Sequence, residues 1–434
     1  MKFKPVLAAV AAALFALSWV PAQAAPPKLS SETSAAQLCL DFELGLEDLM
    51  AWCTSARTEP GVATRDLERI LNNIGWLASR LEGPEAALAA YEESLALNPM
   101  SAAALSGMGW ASWDLRDHAA AADYFRRAGE ISTSAPRLAG LASSLWHLDA
   151  DVAEVISLLE QALLVDPEYI WAARELAWVY ADLGDAAKAD EYFDLALSVD
   201  GEDAWAMYGK SDLRIDEGNL EAALNLVNRA IAIEEAPEFL TYRAYIMNEN
   251  ANYRQAIEDA ARALAIAPHD GDAARQKARA HEEMGHLNLA REAFASADEE
   301  GASGAYFFSE YAHVLYQLDE LEEALVKVEA SLAIHGDDWA HSIHSVILQE
   351  LGRFEESITA ANQAVALDET YAYPHVTIAY SKIALGQMDE ALGSAQKAQE
   401  LGASEGQIND LIRQLVSDGR ILDAIRFRAA LHRE

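Results

Sequence analysis

The chain has 434 residues, 52% of them apolar and only 12 of them proline, which excludes a disordered polymer and favours helix. Its 70 acidic residues against 32 Lys and Arg leave a formal charge of −38. Nucleic acid and anionic membrane both demand a basic face, so neither is expected as a ligand; such a charge suits basic partners or a solvated acidic surface.

Residues 1–24 read as a cleavable signal peptide. Lys2 and Lys4 precede an apolar run from Val6 to Val20, broken by Pro21, and Ala22, Gln23 and Ala24 then present small residues around a cleavage point after Ala24. The run is shorter than the ~20 residues that span a bilayer comfortably. No other stretch is long and apolar enough, so the mature chain is expected to lack an integral membrane segment and to be periplasmic or secreted. Residues 25–67 carry no repeat and are expected to form an N-terminal helical cap. Cys39 and Cys53 would lie roughly 21 Å apart on one straight helix, too far to bridge. They are therefore either a disulfide, with the chain reversing near Gly45, or two separate buried thiols.

From Glu68 the chain repeats with a period of 33–34 residues. Leu95 to Pro99, Leu163 to Pro167, Leu264 to Pro268 and Leu332 to Gly336 are similar segment ends; the first two and the last two pairs are each 68 residues apart. Ten units start at Glu68, Ala102, Pro136, Ile170, Ala204, Pro237, Gly271, Ala305, Asp338 and Ala372. The eighth place is small in all of them, from Gly75 to Ala379, and the twentieth in all but the third, which has Val155. Small residues at helical spacing let two backbones approach, and larger apolar side chains fill what remains. Gly184, Gly218, Gly285, Gly352 and Gly386 stand at the fifteenth place, where a first helix would end in a left-handed cap. Each unit is thus helix, tight turn, helix, and it buries its apolar face only by stacking on its neighbours. Residues 405–434 look like a last degraded hairpin that caps the array, with Gly419 at its turn and Arg420, Arg426, Arg428 and Arg433 after it.

With Tyr91, Phe125, Phe193 and Phe294 at the twenty-fourth place and proline near the thirty-second, residues 68–404 resemble the tetratricopeptide repeat. Departures are a fourth place without Trp and the small Ala260, Ala361 and Ala395 where an aromatic is usual. The resemblance implies an all-α, right-handed solenoid whose concave wall is lined by the first helix of each repeat. Places two, five, nine and twelve share one face of that helix. They hold Trp76, Trp110, Trp113, Trp171, Trp178, Trp205, Tyr208, Tyr245, Tyr306, Tyr316, Trp339, Tyr373 and Tyr380, where 8% aromatic content would supply about three. Arg69, Arg137, Arg174, Arg275 and Arg279 share the stripe with Asn72 and Asn248. Trp, Tyr and Arg carry binding energy in interfaces, although some of these rings would instead pack against the next repeat. If the stripe is an open wall, Trp110 and Trp178 should be removable without loss of the fold.

Such a wall suits a protein or extended peptide, its backbone offered to Asn and Arg and its side chains to the rings. It also suits a polysaccharide stacked on Trp and Tyr. Exported proteins of this family are associated with envelope assembly and exopolysaccharide export, which extends to this chain by analogy only. Catalysis, a metal and a cofactor are not expected. His281 and His286 are five apart rather than the four of a zinc-protease helix. His341 and His344 share a face near His335, Asp337 and Asp338 but fall on packing positions. No nucleophile elbow, phosphate loop or dinucleotide fingerprint is present.

Overall fold

A computed structural model describes residues 34–39 and 45–431; the leader-like segment and Arg433 lie outside the described residues. Every described element is an α-helix. The chain divides into two compact units that meet in sequence at Glu235 and Ala236. The first holds α1 (Ala35–Cys39), α2 (Leu46–Arg57), α3 (Thr64–Leu81), α4 (Pro84–Leu97), α5 (Ala102–Asp114), α6 (His118–Ile131), α7 (Ala135–His147), α8 (Val152–Val165), α9 (Ile170–Asp182), α10 (Ala186–Val199), α11 (Ala204–Asp216) and α12 (Leu220–Ile233). The second holds α13 (Pro237–Glu249), α14 (Tyr253–Ile266), α15 (Gly271–Glu283), α16 (Leu287–Glu299), α17 (Ala305–Gln317), α18 (Leu321–Ile334), α19 (Asp338–Glu350), α20 (Phe354–Leu367), α21 (Ala372–Ala384), α22 (Met388–Glu400), α23 (Glu405–Ser417) and α24 (Ile421–Leu431).

Within each unit consecutive helices pack as antiparallel hairpins, and the first helices of neighbouring repeats touch: α9 meets α7 and α11, and α19 meets α17 and α21. The turn inside a hairpin follows from its hydrogen bonds. In the fourth repeat Gly184 takes φ +77°. The Asp185 N–H then donates back to the Tyr180 carbonyl (2.9 Å), which closes the first helix. The Asp185 carboxylate in turn accepts from the Lys188 N–H (3.2 Å) and opens the second. The fifth repeat repeats this with Gly218 and Asn219.

Buried small residues define the spine. Ala87, Ala121, Ala189, Ala223, Ala256, Ala290, Ala324 and Ala391 at the twentieth place are fully buried. The twenty-fourth-place aromatics fill the gaps between hairpins, and glycines make room for them. A Cβ at Gly75 would stand 2.6 Å from the Tyr91 ring, and one at Gly140 would stand 2.6 Å from Phe125. Gly107 and Gly209 are tighter still, with a Cβ there 2.2 Å from Tyr91 and 2.1 Å from Phe193. Where the aromatic is absent, the next first helix supplies bulk at its sixth place: Gln276 follows Ala260 and Thr377 follows Ala361, all buried.

The third repeat corrects the sequence register. Its turn, Leu148 to Asp151, is one residue longer than those of the second and of the fourth to tenth repeats, and Asp149 takes the positive φ. Its first helix therefore starts at Ala135 rather than Pro136. Arg137 leaves the stripe and donates to the Ser132 carbonyl (2.6 Å), while Trp146 takes the twelfth place.

At the N-terminus Cys39 and Cys53 form a disulfide that ties α1 to α2. Both cysteines are buried with Leu49, Ala56 and Ile70. The Asn73 side chain on α3 donates to the Cys39 carbonyl (3.0 Å), docking this hairpin on the first repeat. In the last hairpin Arg420 pairs with Asp423, and Arg426 reaches Asp389 on α22.

Candidate functional site

The aromatic stripe is present on the first helices, but the structure divides it into closed and open parts. Trp113, Trp171, Trp178 and Trp205 are only 3–5% exposed. Trp178 lies edge-on to Phe193 (5.2 Å), and Trp110 lies edge-on to Phe125 (4.9 Å) and Trp171 (5.2 Å). Trp113 faces the stacked imidazoles of His118 and His147. These rings belong to the packing between repeats, because small residues let adjacent first helices approach until the indoles are covered. Trp178 is thus structural, and removing it would leave a core cavity, whereas Trp110 is half-buried against Phe125 and Trp171.

The polar members of the stripe are mostly engaged within the chain. Arg174, 4% exposed, donates to Asp203 (3.1 Å) on the loop before α11. Arg275 pairs with Asp272 and Glu310 and lies over the Tyr306 ring. Arg279 pairs with Glu249, and Arg69 faces Asp66. Asn248 is buried and donates to the Gln276 carbonyl (2.9 Å). Asn72 is half-buried, its carbonyl oxygen without a partner. Arg174 and Arg275 are thus paired within the chain, whereas the Arg69 and Arg279 side chains stay 57% and 42% exposed beside Asp66 and Glu249.

Two regions stay open. In the second unit Tyr306 is 45% exposed, and Tyr316, Trp339, Tyr373 and Tyr380 are half-buried on α17, α19 and α21. Burial, the neighbouring Tyr373 and the charge of Glu350 push the Tyr316 phenol up to about 12. Burial first, with Glu350 contributing, raises Tyr373 and Tyr380 as well. Exposed Glu350 therefore lies within electrostatic reach of three of these rings. Tyr245 on α13 is half-buried near Tyr242. In the first unit Trp76 is half-buried beneath the Arg80 guanidinium (3.9 Å), and Tyr208 lies beside Trp178 and Trp205.

The second open region is a cavity of about 200 Å³ between α9 and α11, lined by Ile170, Trp171, Arg174, Asp200, Glu202, Asp203, Ala204, Trp205, Ile233 and Glu234. Composition pointed to neither the cavity nor its carboxylates, because acids occur throughout the sequence and only folding brings these together.

The family pattern described as tetratricopeptide repeat matches residues 72–136, 175–203 and 342–371. These segments are tetratricopeptide repeats. The chain is 29% identical to tetratricopeptide repeat protein 6 of Homo sapiens over 108 residues, 25% of this chain and 21% of that protein. It is 30% identical to Protein FlbA of Caulobacter vibrioides over 156 residues, 35% of this chain and 26% of that protein. The chain thus spans about a quarter of the length of these relatives. A structure of a monomeric IFIT1 mutant with m7Gppp-AAAA is similar over 86% of this chain and 92% of that chain, with a TM-score of 0.53 and 15% identity, a likeness of fold alone. In tetratricopeptide terms, the open residues of the second unit lie on the first helices of repeats eight to ten, and the cavity lies between repeats four and five. Among the described residues no helix is long and apolar enough to cross a membrane.

Proposed function

We propose that the chain is a non-catalytic scaffold that holds an extended, basic segment of a partner protein along the first-helix face of its tetratricopeptide repeats. The repeat itself supports a protein- or peptide-binding role. The finer reading rests on one observation: of the rings that remain accessible, Tyr316, Tyr373 and Tyr380 lie within electrostatic reach of the exposed Glu350, while Arg275 over the Tyr306 ring is already paired. Aromatic faces and carboxylates together favour lysine and arginine over acidic segments. The leader-like residues 1–24 and the Cys39–Cys53 disulfide support export to an oxidising compartment, and a role in envelope assembly is consistent with that location.

The test is binding to an array of random-sequence peptides, with signal compared against Lys and Arg content. Wild-type protein should favour basic peptides. Trp339→Ala with Tyr373→Ala should retain its helical circular dichroism and lose about tenfold or more in affinity. Silence on every peptide, or equal binding by the double variant, would sink this assignment; binding to a glycan array instead would transfer the role to polysaccharide.

A further inference from the structure

Resting on that reading of a basic partner, we propose that the cavity between α9 and α11 of the first unit receives one cationic side chain, arginine or lysine, of a basic peptide. At about 200 Å³ it is smaller than the ~300–1,000 Å³ of sites for drug-sized molecules, and suits a single side chain. Trp171 and Trp205 contribute indoles to its lining, and Asp200, Glu202 and Glu234 contribute carboxylates.

The hydrogen bonds show which charges remain to be satisfied. Asp203 accepts from Arg174 (3.1 Å) and from the Ala206 N–H (2.9 Å), so these two opposite charges are accounted for together. Asp200 accepts from the Glu202 N–H (2.9 Å). The carboxylates of Glu202 and Glu234 accept no hydrogen bond from the described residues. Glu234 is half-buried, and burial raises its carboxyl above the usual range. A cation entering here would meet Glu234, whose charge Arg174 partly balances, and the exposed carboxylates of Asp200 and Glu202, to which it can donate charge-assisted hydrogen bonds. The Nε–H of Arg174 is buried without an acceptor, but Asp203 already neutralises that guanidinium, and the three other carboxylates repel an anion. Among the described residues no three His, Cys, Asp or Glu side chains come together in a way that could hold a metal ion.

Two probes separate this site from the scaffold reading. The first is a fluorescein-labelled peptide of alternating glycine and arginine, and the same peptide with neutral citrulline for arginine, titrated by anisotropy against the full chain. Glu202→Gln with Glu234→Gln should weaken the arginine peptide by about tenfold. Glu154→Gln with Glu160→Gln, an equal charge change on exposed α8 positions, should stay within about twofold. The citrulline peptide should bind weakly to all three proteins. The second probe is agmatine, a guanidinium too small to need a peptide groove, followed by fluorine resonances of 5-fluorotryptophan-labelled protein assigned by Trp171→Phe and Trp205→Phe. It should shift the Trp171 and Trp205 signals of the wild type and leave them unmoved in the Glu202→Gln with Glu234→Gln protein.

If the α8 control weakens the peptide as much as the cavity variant, or agmatine moves neither indole, the cavity assignment is overturned. Agmatine shifts without peptide binding would preserve the cavity and remove the scaffold. Peptide binding that survives the cavity variant would do the reverse.

Discussion

Glu175 occupies a place where other first helices carry glycine: it is the sixth residue of α9, and Gly107, Gly140 and Gly209 are the sixth residues of α5, α7 and α11. It is buried beside Arg174, and burial, only partly offset by that guanidinium, pushes its carboxyl from 4.5 up to about 7. A carboxyl raised on folding stabilises the protein while protonated. Its contribution is complete below pH 4.5 and is lost as pH rises through 7. The shift corresponds to roughly 3 kcal/mol. His147 acts oppositely: burial, with His118 and Arg116 adding to it, lowers it from 6.5 to about 4, so its contribution holds above pH 6.5 and is lost on acidification. Between about pH 6.5 and 8 Glu175 should therefore dominate. The urea midpoint of wild type should fall across that window, and Glu175→Gln should flatten the profile; an unchanged slope in the variant would show that another group controls it. The sequence names Glu175 as one acid among 70, and only its burial sets it apart.

At the scale of the element, the turn within each hairpin from the second repeat on takes one residue into positive φ, whatever residue is present. Five repeats meet it with glycine, and those were legible from spacing alone. Arg116, Asp149, Ala251 and Asp319 adopt positive φ as well, between +53° and +63°. These were not legible, since a side chain there reads as ordinary helix until the hydrogen bonds are seen. A left-handed residue with a Cβ costs about 1–2 kcal/mol, and alanine lacks the short polar side chain that eases it for aspartate. Ala251→Gly should thus stabilise the protein by about 1 kcal/mol, less the entropy glycine adds to the unfolded chain. The check is chemical denaturation of the variant beside wild type. A loss of stability would mean that the Ala251 methyl contributes packing that outweighs the strain. The third repeat carries the complementary lesson: one residue inserted in its turn shifts a first helix, and with it the side chains assigned to the stripe.

Over the whole molecule the dominant electrostatic fact is a charge of −38. Many visible ion pairs are exposed and individually worth about 0–1 kcal/mol, whereas excess like charge opposes the compact state as a sum over the surface. Screening should relieve more repulsion than attraction. Raising sodium chloride from about 20 to about 200 mM, which shortens the screening length to below about 10 Å, should raise the melting temperature while weakening any basic ligand. A fall in melting temperature would show that the ion pairs outweigh the net charge. The buried Arg174–Asp203 pair should be nearly insensitive to that salt.

The amino-acid sequence by itself determined the repeat length, the two-helix unit, most of the small spine residues and the face on which the aromatics fall. All of these depend on local spacing, which a 3.6-residue helix converts directly into geometry. Accessibility was decided by the tertiary structure. Whether Trp178 is covered or Tyr306 is open depends on how closely the adjoining repeat approaches, and whether Arg174 is free depends on Asp203, 29 residues away. Burial and charge pairing between neighbouring repeats are non-local quantities, so the stripe was readable in one dimension and its open part only in three.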